Sequence, residues 1–228
     1  MYSPIYMDST YALMLIGILI SALAQYKVNS TFRKYLQVRN KSGIKGYQVA
    51  RGILDSQGLY DIPIEMVGGV LSDHYDPRTR TIRLSKDVYS GDSIASVSVA
   101  AHEVGHAIQH ASDYAPLNLR SMIAPVAAAT GNFVWILVMM GIILSFPKLI
   151  HIGIYLFLAT LLFQIITLPV EINASKRALQ QLESGYISSD EVKGSKKVLG
   201  AAAMTYVAAT LVSVLQLFRL ISISRRRD

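Results

Sequence analysis

Four long apolar stretches constrain this chain more than any other feature, because each must be buried in lipid or in a protein core. They cover residues 11–26, 122–146, 150–170 and 199–218. A membrane-crossing helix needs about 20 mainly apolar residues. The second and third stretches meet that length, the first is marginal, and the Ala-rich fourth is left open. We therefore predict a mainly α membrane protein with three to four transmembrane helices, in contact with a lipid bilayer.

The charges around these stretches predict how the chain crosses the membrane. Residues 1–10 contain no Lys or Arg, so residues 1–26 are predicted to be a retained N-terminal anchor and not a cleaved signal. Seven basic residues follow within residues 27–51, which predicts a cytoplasmic location for residues 27–121 and a multi-pass protein of the cell membrane. Only Pro147 and Lys148 interrupt the apolar residues that follow, so residues 122–170 are predicted to form a transmembrane helical hairpin.

The last part of the chain leaves the topology open. Residues 171–198 carry five basic residues and are predicted to lie on the same side as residues 27–121. A full crossing by the fourth apolar helix would carry the basic tail, within residues 199–228, to the opposite side. The fourth stretch is therefore expected to span, to re-enter, or to pack inside the protein.

Residues 27–121 have the patterns of a small α+β domain. Apolar residues at helical spacing predict a helix over Gly46–Ser56, and a second helix should begin after Asp92 or Ser93 and run to about Ala111. Residues 62–67 predict one short strand. The alternating residues Thr81, Ile82, Arg83 and Leu84 predict another, with one apolar face.

The second of these helices contains the motif H-E-x-x-H. His102 and His106 are four residues apart, so both can reach one zinc ion from the same helical face. Glu103 stands beside that face, where it could take a proton from a zinc-activated water and pass it to the leaving amine. The chain has no cysteine, so any such site must use His and carboxylate ligands. The pattern predicts one catalytic Zn²⁺ ion and a zincin-like catalytic domain over residues 27–121.

A catalytic zinc needs a third protein ligand. Glu171 is the preferred candidate, because a carboxylate at the end of an apolar stretch requires a partner and a zinc ion would be one. Residues 171–198 are predicted to form a helix that carries this third ligand. His110 stands about 12 Å along the helix from His102, too far to share a tetrahedron, and is expected to be a helix-end or supporting histidine. His74 is a further candidate for metal or substrate binding, although a turn histidine is the simpler interpretation.

Substrate binding has one candidate element. Zinc peptidases often bind an extended substrate as an added strand at the edge of a sheet beside the zinc helix. The run Thr81, Ile82, Arg83 and Leu84 is the predicted edge strand.

The combination of motifs resembles the YugP-like neutral zinc metallopeptidases of bacterial membranes. The resemblance rests on residues 73–78, 82–85, 100–109, 169–171 and 174–175 and covers nearly the whole chain. It implies a membrane-bound, zinc-dependent peptidase with His102 and His106 as ligands and Glu103 as the base. The arrangement also looks like a reduced form of the HtpX-type and prenyl-protein endoproteases, in which an Asp four residues after the ligand Glu supports a zinc-site histidine. In this chain position 175 is Ser and position 173 is Asn, so the resemblance makes Ser175 and Asn173 the candidates for that supporting role.

The sequence thus predicts a zinc metalloendopeptidase that hydrolyses protein or peptide substrates. A non-catalytic membrane scaffold with a structural metal site is the alternative, although such a site has no use for Glu103 as a base. A transporter is disfavoured because few ionisable residues lie within the apolar stretches. The net charge of +7 lies next to those stretches and not in a basic groove, so no nucleic-acid partner is expected. The sequence leaves the oligomeric state open.

Overall fold

Seven α-helices and three β-strands form the part of the chain described by the computed structural model, residues 9–225. The helices are α1 (Ser9–Leu36), α2 (Gly46–Ser56), α3 (Lys86–Tyr89), α4 (Ile94–Ala111), α5 (Ala115–Ile143), α6 (Pro147–Glu183) and α7 (Val192–Arg225). The strands are β1 (Ile64–Val67), β2 (His74–Asp76) and β3 (Thr81–Ser85). The start of the predicted anchor (residues 1–8) and the end of the predicted basic tail (residues 226–228) lie outside the described residues.

Four helices, α1, α5, α6 and α7, are long and apolar enough to cross a membrane. These four helices confirm the prediction of a mainly helical membrane protein. The fourth apolar stretch, for which the sequence did not decide whether it crosses the membrane, lies within the 34-residue helix α7. Pro147 is the first residue of α6, where a missing backbone N–H removes no helical hydrogen bond.

Glu171 lies on α6, the helix that also contains the third apolar stretch. This helix continues through Pro169 to Glu183 without a break. The structure therefore divides residues 171–198 between the end of α6, a connection, and the start of α7.

The chain contacts separate into two compact units. One comprises Leu119–Leu168 with the described parts of Met1–Gln25 and Thr205–Asp228, and its buried core includes Val134, Val138, Phe157 and Leu220. The other comprises Tyr26–Asn118 and Pro169–Met204, and it contains the sheet, α2, α4 and the end of α6.

The sheet of the second unit has the strand order β1-β3-β2. Strand β3 pairs in parallel with β1 and antiparallel with β2, so both of its edges are hydrogen-bonded. The prediction that Thr81, Ile82, Arg83 and Leu84 form an edge strand open to substrate is therefore wrong. The alternating pattern predicted one buried face, but Thr81, Ile82, Leu84 and Ser85 are all buried because β3 lies in the middle of the sheet.

Helix α4 runs through the interior of this second unit. Of its 18 residues 14 are buried, and the Ser93 hydroxyl caps its start by accepting a hydrogen bond from the Ser96 backbone N–H at 3.0 Å. An interior helix should carry apolar side chains, yet Glu103, His106 and Gln109 are among its buried residues. Buried polar groups are costly unless they have partners, so these three side chains mark the site.

Candidate metal centre

Two helices of the second unit supply three metal-binding side chains to one place. His102 and His106 come from consecutive turns of α4, and Glu171 comes from α6. His102 Nε2 lies 3.3 Å from Glu171 Oε2, and His106 Nε2 lies 3.5 Å from the same oxygen. One ligand atom of each residue lies within 4.8 Å of the other two. The structure thus brings the three sequence-predicted ligands together, and they could bind one zinc ion.

The two short distances fit the size of a zinc ion. Zinc binds His nitrogen and carboxylate oxygen at about 2.0–2.2 Å. Two donors at those bond lengths, separated by a tetrahedral angle, stand about 3.4 Å apart. The 3.3 and 3.5 Å separations match that value. A His₂Glu set is also one that catalytic zinc uses, with the fourth position left open.

A close helix contact sets these separations. Gly105 lies on α4 between the two histidines, and its α-carbon faces the backbone of α6 at Ala174. A methyl group added to Gly105 would stand only 2.6 Å from the Ala174 carbonyl oxygen. The two helices can approach closely enough to share a metal ion because position 105 is glycine and the facing residues of α6 are small, among them Ala174 and Ala178.

His106 is oriented by a chain of hydrogen bonds that starts at Gln109. The Gln109 amide nitrogen donates to the Val170 carbonyl at 2.8 Å and to Asn173 Oδ1 at 3.0 Å. Its oxygen must then face His106 Nδ1, which lies 3.0 Å away. The proton of His106 is thereby held on Nδ1, and Nε2 keeps its lone pair for a metal ion.

Ser175 and Asn173, the candidates for the supporting role, occupy different places in this network. The Ser175 hydroxyl lies 3.2 Å from His102 Nδ1, in direct contact with a candidate ligand. Asn173 contacts Gln109 instead of a histidine, and its Oδ1 also accepts a hydrogen bond from Arg177 Nε at 2.9 Å. Asn173 therefore acts on the site through Gln109.

Glu103 is buried beside His102, with 6% of its surface exposed. Burial raises the pKa of its carboxyl group to about 7, against the opposing effects of His102 and of a hydrogen bond from the Tyr75 backbone N–H. A carboxyl group with this pKa can both accept and release a proton near neutral pH. The backbone of β2 therefore lies near this carboxyl group.

The remaining histidines lie outside the three-residue cluster. His110 Nδ1 lies 2.8 Å from the Tyr75 hydroxyl, which ties the end of α4 to β2. His74 is exposed, and its Nδ1 lies 2.8 Å from the Ser72 carbonyl oxygen. His151 belongs to the first unit and contacts the Ser224 hydroxyl at 2.9 Å. Neither His74 nor His110 is part of the group of three side chains that could bind a zinc ion.

Sequence reasoning missed two residues of the site. Gln109 lies three residues after His106 and seven after His102, on the same helical face, so its spacing could have identified it as a histidine partner. Tyr75 gave no comparable signal, because its contacts with Glu103 and His110 depend on how β2 packs against α4.

Comparison with known proteins agrees with this geometry. Residues 10–225 match the model of a protein family described as "Putative neutral zinc metallopeptidase". The chain is 51% identical to the "Putative membrane protease YugP" of Bacillus subtilis (strain 168) over 205 residues, which cover 90% of this chain and 91% of that protein. No solved structure matches the chain. With a family match over almost its full length and a zinc-sized His₂Glu cluster between α4 and α6, this multi-pass membrane protein belongs to the neutral zinc metallopeptidase family.

Proposed function

We propose that the protein is a zinc metalloendopeptidase of the cell membrane, with His102, His106 and Glu171 as the zinc ligands and Glu103 as the general base. The main support for the proposal is that Glu171 lies at zinc-sized distances from both histidines, next to the buried carboxyl group of Glu103. A structural zinc site closes all four positions with protein ligands, whereas three ligands beside a potential base are typical of a catalytic site.

Each residue has a distinct task in the proposed reaction. Bound zinc supplies a Lewis acid that polarises the scissile carbonyl group and makes water more acidic. A carboxylate oxygen of Glu103 accepts the proton of the attacking water and delivers it to the nitrogen of the leaving amine. Gln109 holds the proton of His106 on Nδ1, and the Ser175 hydroxyl contacts Nδ1 of His102, so the two residues help to orient the two imidazoles.

Strand β2 is the proposed binding edge for an extended substrate. Among the described strands it pairs only with β3, so its other edge is open to a further strand. The Tyr75 backbone N–H lowers the pKa of Glu103, so β2 lies near the proposed base. A peptide added along this edge would pass Glu103 with chain on both sides of the cleaved bond, which supports an endopeptidase.

The proposed location of the site follows from the basic residues. Residues 27–121, proposed as a zincin-like catalytic domain, begin with a run of Lys and Arg that favours the cytoplasmic side. Residues 1–26 serve as an anchor, residues 122–170 as a hairpin, and residues 171–198 carry the third ligand. Residues 199–228 form the last apolar helix and basic tail in this proposal.

The decisive experiment compares Glu103→Gln with the wild type, both purified in detergent as the full chain. Zinc per chain is measured by elemental analysis, and hydrolysis is measured on an unfolded protein such as casein. Loss of a general base lowers the rate by about 10²–10⁴-fold, whereas zinc content should stay near one per chain. Glu183→Gln makes the same chemical change at an exposed position and should leave both values unchanged.

Two outcomes would contradict the proposal. Wild-type hydrolysis by the Glu103→Gln variant would exclude this residue as the base. Zinc at one per chain without hydrolysis by the wild type would favour the alternative, a non-catalytic scaffold with a structural metal site.

A further inference from the structure

A cleft of about 400 Å³ lies in the second unit between α1 and α7, away from the metal centre. Three lysines line it: Lys27 and Lys34 from α1 and Lys197 from α7. Lys27 and Lys34 are seven residues apart, two helical turns, so they stand on the same face of α1. Thr31 lies between them on that face and adds a hydroxyl group to the cleft.

No described carboxylate balances the positive charge of this cleft, although Lys34 Nζ lies 5.9 Å from the centre of the Tyr35 ring, which also lines the cleft. None of its lining residues is acidic, and Lys27, Lys34 and Lys197 form no ion pair with a described carboxylate. Neighbouring lysines behave differently: Lys196 lies 3.7 Å from Glu183, and Lys41 lies 2.7 Å from Asp190. Two adjacent lysines of α7 thus have different surroundings: Lys196 has a carboxylate partner, and Lys197 lines the cleft.

The cleft is bounded by a tight contact between its two helices. The Tyr35 ring packs against Gly194, where an added β-carbon would stand 3.0 Å from the ring. This contact brings the polar start of α7 to the polar end of α1, so Lys34 and Lys197 are held on opposite walls of one opening.

The lining changes from polar to apolar along both helices. On α1 the apolar residues end at Tyr26, immediately before Lys27. On α7 the lysine at position 197 is followed by Gly200 and then Met204, whose side chain is 55% exposed. The cleft therefore has a cationic end and an apolar end, and the apolar end continues into the stretches that are long enough to cross a membrane.

We propose that this cleft binds the phosphate group of an anionic phospholipid from the surrounding bilayer. Basic pockets between membrane helices on the cytoplasmic side are suited to anionic headgroups. Three ammonium groups without a carboxylate partner and the Thr31 hydroxyl can bind the phosphate oxygens, while Met204 lies where the glycerol and acyl chains would continue. A free phosphate ion would use the lysines but gain nothing from the apolar end, so the lining favours a lipid.

The proposal is tested by lipid binding to the purified full chain, without any measurement of proteolysis. The protein in a neutral detergent is titrated with dihexanoyl phosphatidylglycerol, dihexanoyl phosphatidylcholine or inorganic phosphate, and the shift of its thermal midpoint is recorded. Phosphatidylglycerol should raise the midpoint in a saturable way at concentrations where the other two have little effect. The double variant Lys27→Gln, Lys197→Gln should bind about 25-fold more weakly, from about fivefold per lysine near a charged surface.

Control variants separate the cleft from general charge effects. Lys86→Gln with Lys176→Gln removes two exposed lysines outside the cleft and should bind like the wild type. Lys34→Gln alone should weaken binding about fivefold. This single variant tests the cleft independently if the double variant does not fold. Equal losses in the cleft and control variants, or equal binding of inorganic phosphate and phosphatidylglycerol, would overturn the proposal.

Discussion

The contact at Gly105 yields the sharpest prediction, for the substitution Gly105→Ala. The added methyl would stand 2.6 Å from the Ala174 carbonyl oxygen, whereas carbon and oxygen normally approach to about 3.3 Å. Because the blocking atom belongs to the backbone of α6, no side-chain rotation can relieve the clash. The two helices must separate by about 0.7 Å, a strain typically worth about 1–3 kcal/mol in a well-packed core.

The same separation should weaken zinc binding. The distances from Glu171 to His102 and His106, now 3.3 and 3.5 Å, would open to about 4 Å. Zinc–ligand bonds tolerate deviations of about 0.2 Å, so the variant could keep only part of the ligand set at ideal length. We expect its zinc affinity to fall by at least about tenfold, the lower end of the effect of disturbing the support of a ligand.

The assay is chelator competition on the detergent-purified full chain, together with the thermal midpoint of the zinc-free protein. Gly131→Ala is the matched control, because Gly131 lies within α5 and an added β-carbon meets no atom within 4 Å. That control should gain stability, since Ala favours a helix over Gly by about 1 kcal/mol. If Gly105→Ala bound zinc with wild-type affinity and lost no stability, the helix contact would not set the ligand spacing.

Two further substitutions test the ligand set and its support. Glu171→Ala should reduce zinc from near one per chain to a small fraction, because His102 and His106 alone leave two ligands; full occupancy by elemental analysis would exclude Glu171. Gln109→Leu should weaken zinc binding by about 10–100-fold by chelator competition, since His106 loses the acceptor at its Nδ1. Unchanged zinc affinity in that variant, with the protein still folded, would remove Gln109 from the site.

Local patterns in the sequence were enough to predict much of the fold. The apolar periodicity of Gly46–Ser56 predicted α2 with the same bounds, and Ser93 caps α4 as its position before an apolar helix suggested. The H-E-x-x-H spacing placed His102 and His106 on one face because that depends only on the helical repeat. The cost of a carboxylate at the end of an apolar stretch identified Glu171 as a ligand candidate without any knowledge of the fold.

What the sequence could not predict depends on neighbours distant along the chain. The alternation of Thr81–Leu84 indicates a strand but not its position in the sheet, and the pairing of β1 with β3 made that strand central. Tyr75 touches Glu103 and His110 only because β2 packs on α4. The orientation of Gln109 likewise depends on Val170 and Asn173, which belong to another helix.

The division of the ligands between α4 and α6 has a consequence for biosynthesis. Glu171 follows His102 by 69 residues, and most of α5 and α6 must be synthesised between them. A nascent chain that has been made only as far as α4 has two of the three candidate ligands, His102 and His106, too few for a catalytic zinc site. We therefore expect the protein to acquire a metal ion only after α6 has been translated and packed against α4, so a ribosome-bound or incompletely inserted chain would lack the proposed proteolytic activity.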